Sequence, residues 1–209
     1  MKTWTLNRRD LMTLQEWKTL RAHLNRALDR APARANWLVT QTRAICLLAA
    51  WTGLRRAELA ALNQGDLFLE HEQPFVVVRN GKGGKDGEVL LIPAARALLK
   101  TFLRDQRARG MQMGEDKPVF RPKRGDRYTG NGIYRVWTAA LAAAELPHRG
   151  IHKARHLYAM TLYEQSGWNL RLVKEQLRHS RITTTEVYTT VTDVAAGAAL
   201  AEANKALAS

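Results

Sequence analysis

The stretch Leu177-Arg178-His179-Ser180-Arg181-Ile182-Thr183-Thr184-Thr185-Glu186-Val187-Tyr188 decides how the rest of the chain is read. A histidine stands nine residues before a tyrosine, with a threonine-rich segment between them. A tyrosine hydroxyl can attack a phosphodiester and remain as a phosphotyrosyl ester, which preserves the bond energy for resealing. Such a nucleophile also needs a charge clamp and a proton donor for the leaving group. Residues of both kinds occur upstream.

Thr52-Gly53-Leu54-Arg55-Arg56-Ala57-Glu58-Leu59 places an arginine just after a glycine, and His152-Lys153-Ala154-Arg155-His156 sets a histidine and an arginine three apart. Residues i and i+3 share a helix face, so His152 lies with Arg155, and Arg55 with Glu58. Arginine holds phosphate through a planar fork of donors, which acts where charge grows on the equatorial oxygens. Arg55 and Arg155 fill that role; a plain surface ion pair of Arg55 with Glu58 is the alternative. His152 suits accepting or positioning the tyrosine proton. His179 suits a hydrogen bond to a non-bridging oxygen. Lys82, in Asn80-Gly81-Lys82-Gly83-Gly84-Lys85, suits protonating the leaving 5′ oxygen. Tyr188 is the candidate nucleophile, whereas Tyr128, Tyr134, Tyr158 and Tyr163 read as packing or surface residues. His152 and His156 have the i, i+4 spacing of a zinc-binding helix, but Lys153 stands where such a helix needs glutamate. No metal and no cofactor is expected.

The charge balance points the same way. The 209 residues carry 33 Lys+Arg against 19 Asp+Glu, a formal +14. A surplus of this size implies a polyanionic partner, double-stranded DNA first. One cysteine, Cys46, excludes an internal disulfide and a cysteine-based zinc site, and its apolar neighbours Ala44–Ala50 make it a core residue. Lys2–Asp10 is polar, without the apolar run of a signal peptide, and no stretch approaches the ~20 apolar residues of a membrane helix. A cytoplasmic, DNA-associated protein with no membrane partner is expected.

Taken in order, residues 1–12 read as an arm or linker stub. Thr13-x-x-Glu16 is a capping-box pattern, and Leu14, Trp17, Leu20, Leu24 and Leu28 follow at helical spacing. A second helix is predicted from about Asn36 to a glycine cap at Gly53, and a short one from Arg55 to Leu62. The period then changes. Leu67–Leu69, Phe75–Val78 and Val89–Ile92 read as three short strands, the last two joined by the glycine-rich tip Arg79–Gly87. Helices are predicted from Pro93 to about Gly110, Thr129 to Glu145, Ile151 to Ser166 and Asn169 to about Leu177. The cations Arg96, Lys100, Arg104 and Arg107 share a face, and Arg121, Lys123, Arg124 and Arg127 form a basic loop suited to DNA. An alanine-rich terminal helix, Ala195–Ala208, carries Leu200 and Leu207, enough to dock into a neighbouring protomer's groove.

The motifs together resemble the tyrosine recombinase (phage integrase) family, from about Leu11 onward. TGLRRAEL resembles its first arginine box, with Arg55 and the acidic Glu58. NGKGGK resembles the lysine hairpin, with Lys82, or less well Lys85. HKARH resembles the His-x-x-Arg box, with His152 and Arg155 and with His156 in support. LRHS resembles the third box, with His179, and Tyr188 falls at the nucleophile. The resemblance implies an α+β, mostly helical catalytic domain over residues 13–209 with a small three-stranded antiparallel sheet. It implies metal-free cleavage to a 3′-phosphotyrosine, and strand exchange through a Holliday junction in a homo-tetramer assembled on DNA from monomers. Two departures stand out. Arg178 occupies a position that is usually glycine, where a positive φ would cost an arginine roughly 1 kcal/mol. The family's N-terminal core-binding domain is expected to be absent, with no room for it before Leu11, so the chain reads either as a fragment or as one of the short, one-domain members that act as DNA-inversion switches. A catalytically silent DNA-binding regulator on this fold, or a type IB topoisomerase-like strand relaxer, are the other activities such a sequence could serve.

Overall fold

The computed structural model describes residues 11–79 and 86–178. Helix α1 (Leu14–Arg30) opens on Thr13, whose Oγ1 accepts the Glu16 N–H at 3.1 Å while Glu16 Oε2 accepts the Thr13 N–H at 2.7 Å. This capping box satisfies two of the donors that a helix start leaves orphaned. Trp17, Leu20 and Leu24 are buried, but Leu14, at the predicted stripe's first position, is exposed.

Helix α2 (Ala33–Thr52) begins three residues before the predicted start, directly after Pro32, whose φ of −64° suits a helix entry. Its segment Ala44–Ala50 is buried all round, with Cys46 fully enclosed and its thiol pushed up to about 12 by burial. A helix apolar on every side is a central one. Accordingly α1, α4 (Pro93–Ala108), α5 (Gly130–Ala143) and α6 (His152–Gln165) all pack against α2.

Helix α3 (Arg56–Ala61) packs on α5, and a 3-10 turn, Gln64–Asp66, leads into the sheet. The antiparallel strands run in the order β1 (Leu67–Phe68), β2 (Phe75–Val78), β3 (Gly87–Leu90). The third strand lies two residues earlier than the apolar run Val89–Ile92 suggested, because Val78 pairs with Gly87 and Ile92 already caps α4. Helix α7 (Leu170–Leu177) covers β3: Gln176 Oε1 accepts the Leu90 N–H at 3.2 Å. This bond takes up one outward-facing backbone donor of the edge strand.

The expected basic surfaces are partly committed to the fold. Arg96 and Lys100 both pair with Glu70. Arg127 donates to the carbonyls of Ala60 and Ala61 at the end of α3, and Arg121 to those of Pro118 and Gln112. These arginines serve as helix and loop ties, so the basic loop is less available to DNA than its composition implied. Among the described residues no helix is long and apolar enough to cross a membrane. The predicted helix Ala195–Ala208 lies outside the described residues.

Candidate active site

Gly53 is the pivot of the site. It ends α2 in the left-handed region, at φ 63° and ψ 19°, with its N–H bonded to the Ala49 carbonyl at 3.1 Å. A Cβ there would lie 2.8 Å from Tyr158 Cδ1 and 2.9 Å from Leu177 Cδ2. Only glycine meets both demands. The Gly53 carbonyl accepts Arg155 Nη1 at 2.6 Å, and Arg155 Nη2 donates to the Leu177 carbonyl. The guanidinium of Arg155, a buried residue, thus joins the end of α2 to the end of α7.

Arg55 is the N-cap of α3. Its backbone N–H donates to Glu58 Oε2 at 2.7 Å, and its Nη1 donates to Oε1 at 2.6 Å. The ion pair weighed as an alternative therefore forms, yet it orients the guanidinium, which keeps 35% of its side chain exposed. Glu58 also accepts Arg178 Nη2, at 2.7 Å on Oε2. Burial pushes the Glu58 carboxyl up. The Arg178 guanidinium and the Arg55 N–H and guanidinium outweigh this and hold it below the usual range.

Arg55, Arg155 and His152 line one cavity of about 610 Å³, together with Arg56, Tyr134 and His148. Another cavity of about 610 Å³, between α2 and α4 beside Trp51 and Phe102, contains none of the candidate residues, so volume alone does not identify the site. His152 is the first residue of α6. Gly150 leaves room for its ring, since a Cβ there would meet its Cε1 and Nδ1 at 2.6 Å. Burial, then Lys153 and Arg56, lower the His152 pKa, which keeps the imidazole neutral and able to accept a proton.

The segment before α6 is held from two sides. Arg149 Nη2 donates to Glu16 Oε1 at 2.8 Å, and the Arg149 carbonyl accepts Trp137 Nε1 at 2.9 Å. Sequence reasoning missed Tyr134 and His148 as cavity residues. Their side chains are hydrogen-bonded at 3.1 Å, with the Arg56 guanidinium 5.9 Å from the Tyr134 ring centre. The one available signal was His148 four residues before His152, hidden because a break separates them. Tyr158 is half-buried against Gly53, and its phenol is pushed up to about 12 by burial, against the pull of Arg178 and Arg155. Such a phenol is a poor nucleophile, consistent with its reading as a packing residue.

His156 packs edge-to-face on His152, ring centres 6.0 Å apart. Burial first, then Lys153, His152 and Arg155, push its pKa down to about 4. The unfolded chain takes up this proton near pH 6.5 and the folded chain does not. The contribution of His156 to stability is therefore full above pH 6.5 and is lost as pH falls toward 4. Thermal unfolding across that window should show a loss on the order of 2 kcal/mol that His156→Phe flattens; an unchanged slope in the variant would assign the acid lability elsewhere.

Lys82, Lys85, His179 and Tyr188 lie outside the described residues. The described ends that lead to them are Arg79, at the close of β2, and Arg178, at the close of α7. Arg79 Nε donates to buried Asp66 Oδ1 at 2.6 Å, which ties down the base of the hairpin.

The phage integrase family model matches residues 12–194. The chain belongs to the phage integrase family, the tyrosine recombinases. It is 34% identical over 155 residues to tyrosine recombinase XerC of Bacillus pumilus, covering 72% of this chain and 50% of that one. It is 31% identical over 176 residues to XerC of Neisseria meningitidis, covering 84% of this chain and 54% of the relative. It thus spans about half the length of the curated relatives it matches. In fold it resembles XerH recombinase in a post-cleavage complex with palindromic difH substrate, at TM-score 0.73 and 22% identity over 95% of this chain and 56% of that one. The mostly helical catalytic fold with its three-stranded sheet is that of the tyrosine recombinases.

Proposed function

We propose that this tyrosine recombinase domain cleaves and rejoins double-stranded DNA site-specifically through a 3′-phosphotyrosyl intermediate. The observation that carries the reading is the convergence of Arg55, from the start of α3, with His152 and Arg155, from the first turn of α6, on one basic cavity. Two arginines facing a common space suit the two non-bridging oxygens of a phosphodiester. A neutral imidazole lining the same cavity suits the proton of an attacking phenol. Tyr188 attacks phosphorus, the bond to the 5′ oxygen breaks, Lys82 protonates that oxygen, and His179 bonds a non-bridging oxygen. The attack of the 5′ hydroxyl of another strand reverses the sequence. No metal or nucleotide enters, because guanidinium and ammonium groups supply the charge that metals supply elsewhere. Assembly as a tetramer on DNA in the cytoplasm, with Holliday-junction formation, completes the proposal. The XerH relative, bound to its difH substrate, supports a DNA partner.

The test is capture of SDS-stable adducts from a randomised library of nicked duplexes in EDTA. Adducts that map to Tyr188 are expected. DNA binding without adducts would favour a silent regulator, and adducts that appear only with magnesium would reject the metal-free site. Lys82→Ala should slow cleavage about 100-fold on ordinary DNA and far less on a 5′-bridging phosphorothiolate, because a thiolate leaves without a proton. Equal defects on both substrates would make Lys82 a phosphate ligand rather than an acid; Lys85→Ala serves as the comparison.

A further inference from the structure

Arg178 ends α7 in the left-handed region, at φ 53° and ψ 45°, a conformation that suits glycine and strains an arginine. Its side chain does not escape to solvent. It runs over Gly87 at the foot of the hairpin, so closely that a Cβ on Gly87 would lie 2.5 Å from Arg178 Cδ. It ends on Glu58, leaving 13% of the side chain exposed. Among the described residues its Nε and Nη1 are buried without a hydrogen-bond partner. A strained backbone and two unsatisfied donors are retained for one contact, Nη2 to Glu58 Oε2 at 2.7 Å.

That contact is not needed to satisfy Glu58, which already accepts two donors from Arg55. Its consequence is electrostatic. An Arg55–Glu58 pair alone is neutral, and a neutral pair is a weak anion clamp. Sharing the carboxylate between two guanidiniums leaves the trio with one net positive charge and holds Glu58 Oε2 from a second direction, while Oε1 stays on Arg55 Nη1. We propose that Arg178 is a positioning residue for the cleavage reaction: by holding Glu58, it sets the orientation of Arg55 and leaves the Arg55 charge available to the scissile phosphate. The inference rests on the recombinase reading above. It gives this chain a device that a glycine at the same position does not supply.

The test compares wild type with Arg178→Gly and Arg178→Lys. Glycine relieves the left-handed strain, so Arg178→Gly should fold with an unchanged or higher Tm. Its cleavage of a captured substrate should fall about 10- to 100-fold, as for loss of one preorganised charge, while DNA affinity, spread over many phosphates, changes less than about threefold. Arg178→Lys should restore part of the rate. In a Glu58→Gln background the glycine substitution should cost less than about twofold, because no carboxylate remains to be held. A methylphosphonate at the scissile position, carrying one charge fewer, should shrink the Arg178→Gly defect. Independently of activity, the guanidinium resonances of Arg55 in 15N-arginine-labelled protein without DNA should move in Arg178→Gly. Wild-type cleavage by Arg178→Gly, a parallel loss of Tm and DNA affinity, or unmoved Arg55 resonances would each overturn the inference. A wild type that forms no adduct refutes the recombinase reading instead, and the Arg55 resonances still decide whether Arg178 positions Arg55.

Discussion

Replacing Tyr188 with phenylalanine is expected to abolish covalent protein–DNA adducts, a loss of at least about 1,000-fold, with DNA affinity changed by less than about threefold. The proposed mechanism places the attack on one hydroxyl, and the described tyrosines near the cavity are poor substitutes. Tyr158, the tyrosine packed against Gly53, is half-buried with its phenol pushed up to about 12. Tyr134 holds His148 at the cavity wall. Binding rests on a different resource, the surplus of 33 basic over 19 acidic residues, in which one hydroxyl has no part. Adduct capture on a nicked duplex and a binding isotherm at fixed salt separate the two. Adducts persisting at wild-type yield in the variant would remove Tyr188 from the mechanism.

Gly53→Ala is expected to be the most damaging small substitution. It places a Cβ at φ 63°, 2.8 Å from Tyr158 and 2.9 Å from Leu177. The backbone term is about 1–2 kcal/mol and the overpacking about 1–3, so a loss of about 2–5 kcal/mol is expected. For a chain of this size that lowers Tm by about 5–15 °C. The damage reaches the chemistry, because relief of the clash moves either α7 or the Gly53 carbonyl that holds Arg155. Cleavage below the melting range should therefore fall at least about tenfold in the fraction that remains folded. Gly53→Asn separates the causes: asparagine tolerates the left-handed backbone but carries the same Cβ. It should recover only the smaller part of the stability. Full recovery would mean that strain, not space, makes Gly53 necessary.

Much of this architecture was open to sequence reading because its causes are local. Thr13 and Glu16 cap α1 three residues apart, Gly53 ends α2, and Asn169 opens α7, its Oδ1 accepting the Leu172 N–H. The order of the arginine, lysine, histidine and tyrosine boxes sufficed to indicate the family. Even the strain at Arg178 was visible as a departure, since a positive φ at the end of a helix is a property of the adjoining backbone.

What only the tertiary structure decided is where these side chains lead. The bonds from Arg155 to Gly53, Arg178 to Glu58 and Arg149 to Glu16 span 102, 120 and 133 residues. No periodicity links positions so far apart; they meet because α1, α5 and α6 pack on the same central helix, with α7 against α6 and β3. For the same reason composition misplaced the basic surface. A run of arginines reads alike whether its donors face solvent or carbonyls, and Arg121 and Arg127 face carbonyls. The third strand slipped by two residues because pairing across the sheet, Val78 to Gly87, overrode the apolar run of Val89–Ile92. The sequence by itself determined which chemical groups this domain holds and which local elements carry them. Spacing already paired Arg55 with Glu58, but packing alone brought the second guanidinium, Arg178, onto the same carboxylate, because that contact depends on distances between elements that no local pattern encodes.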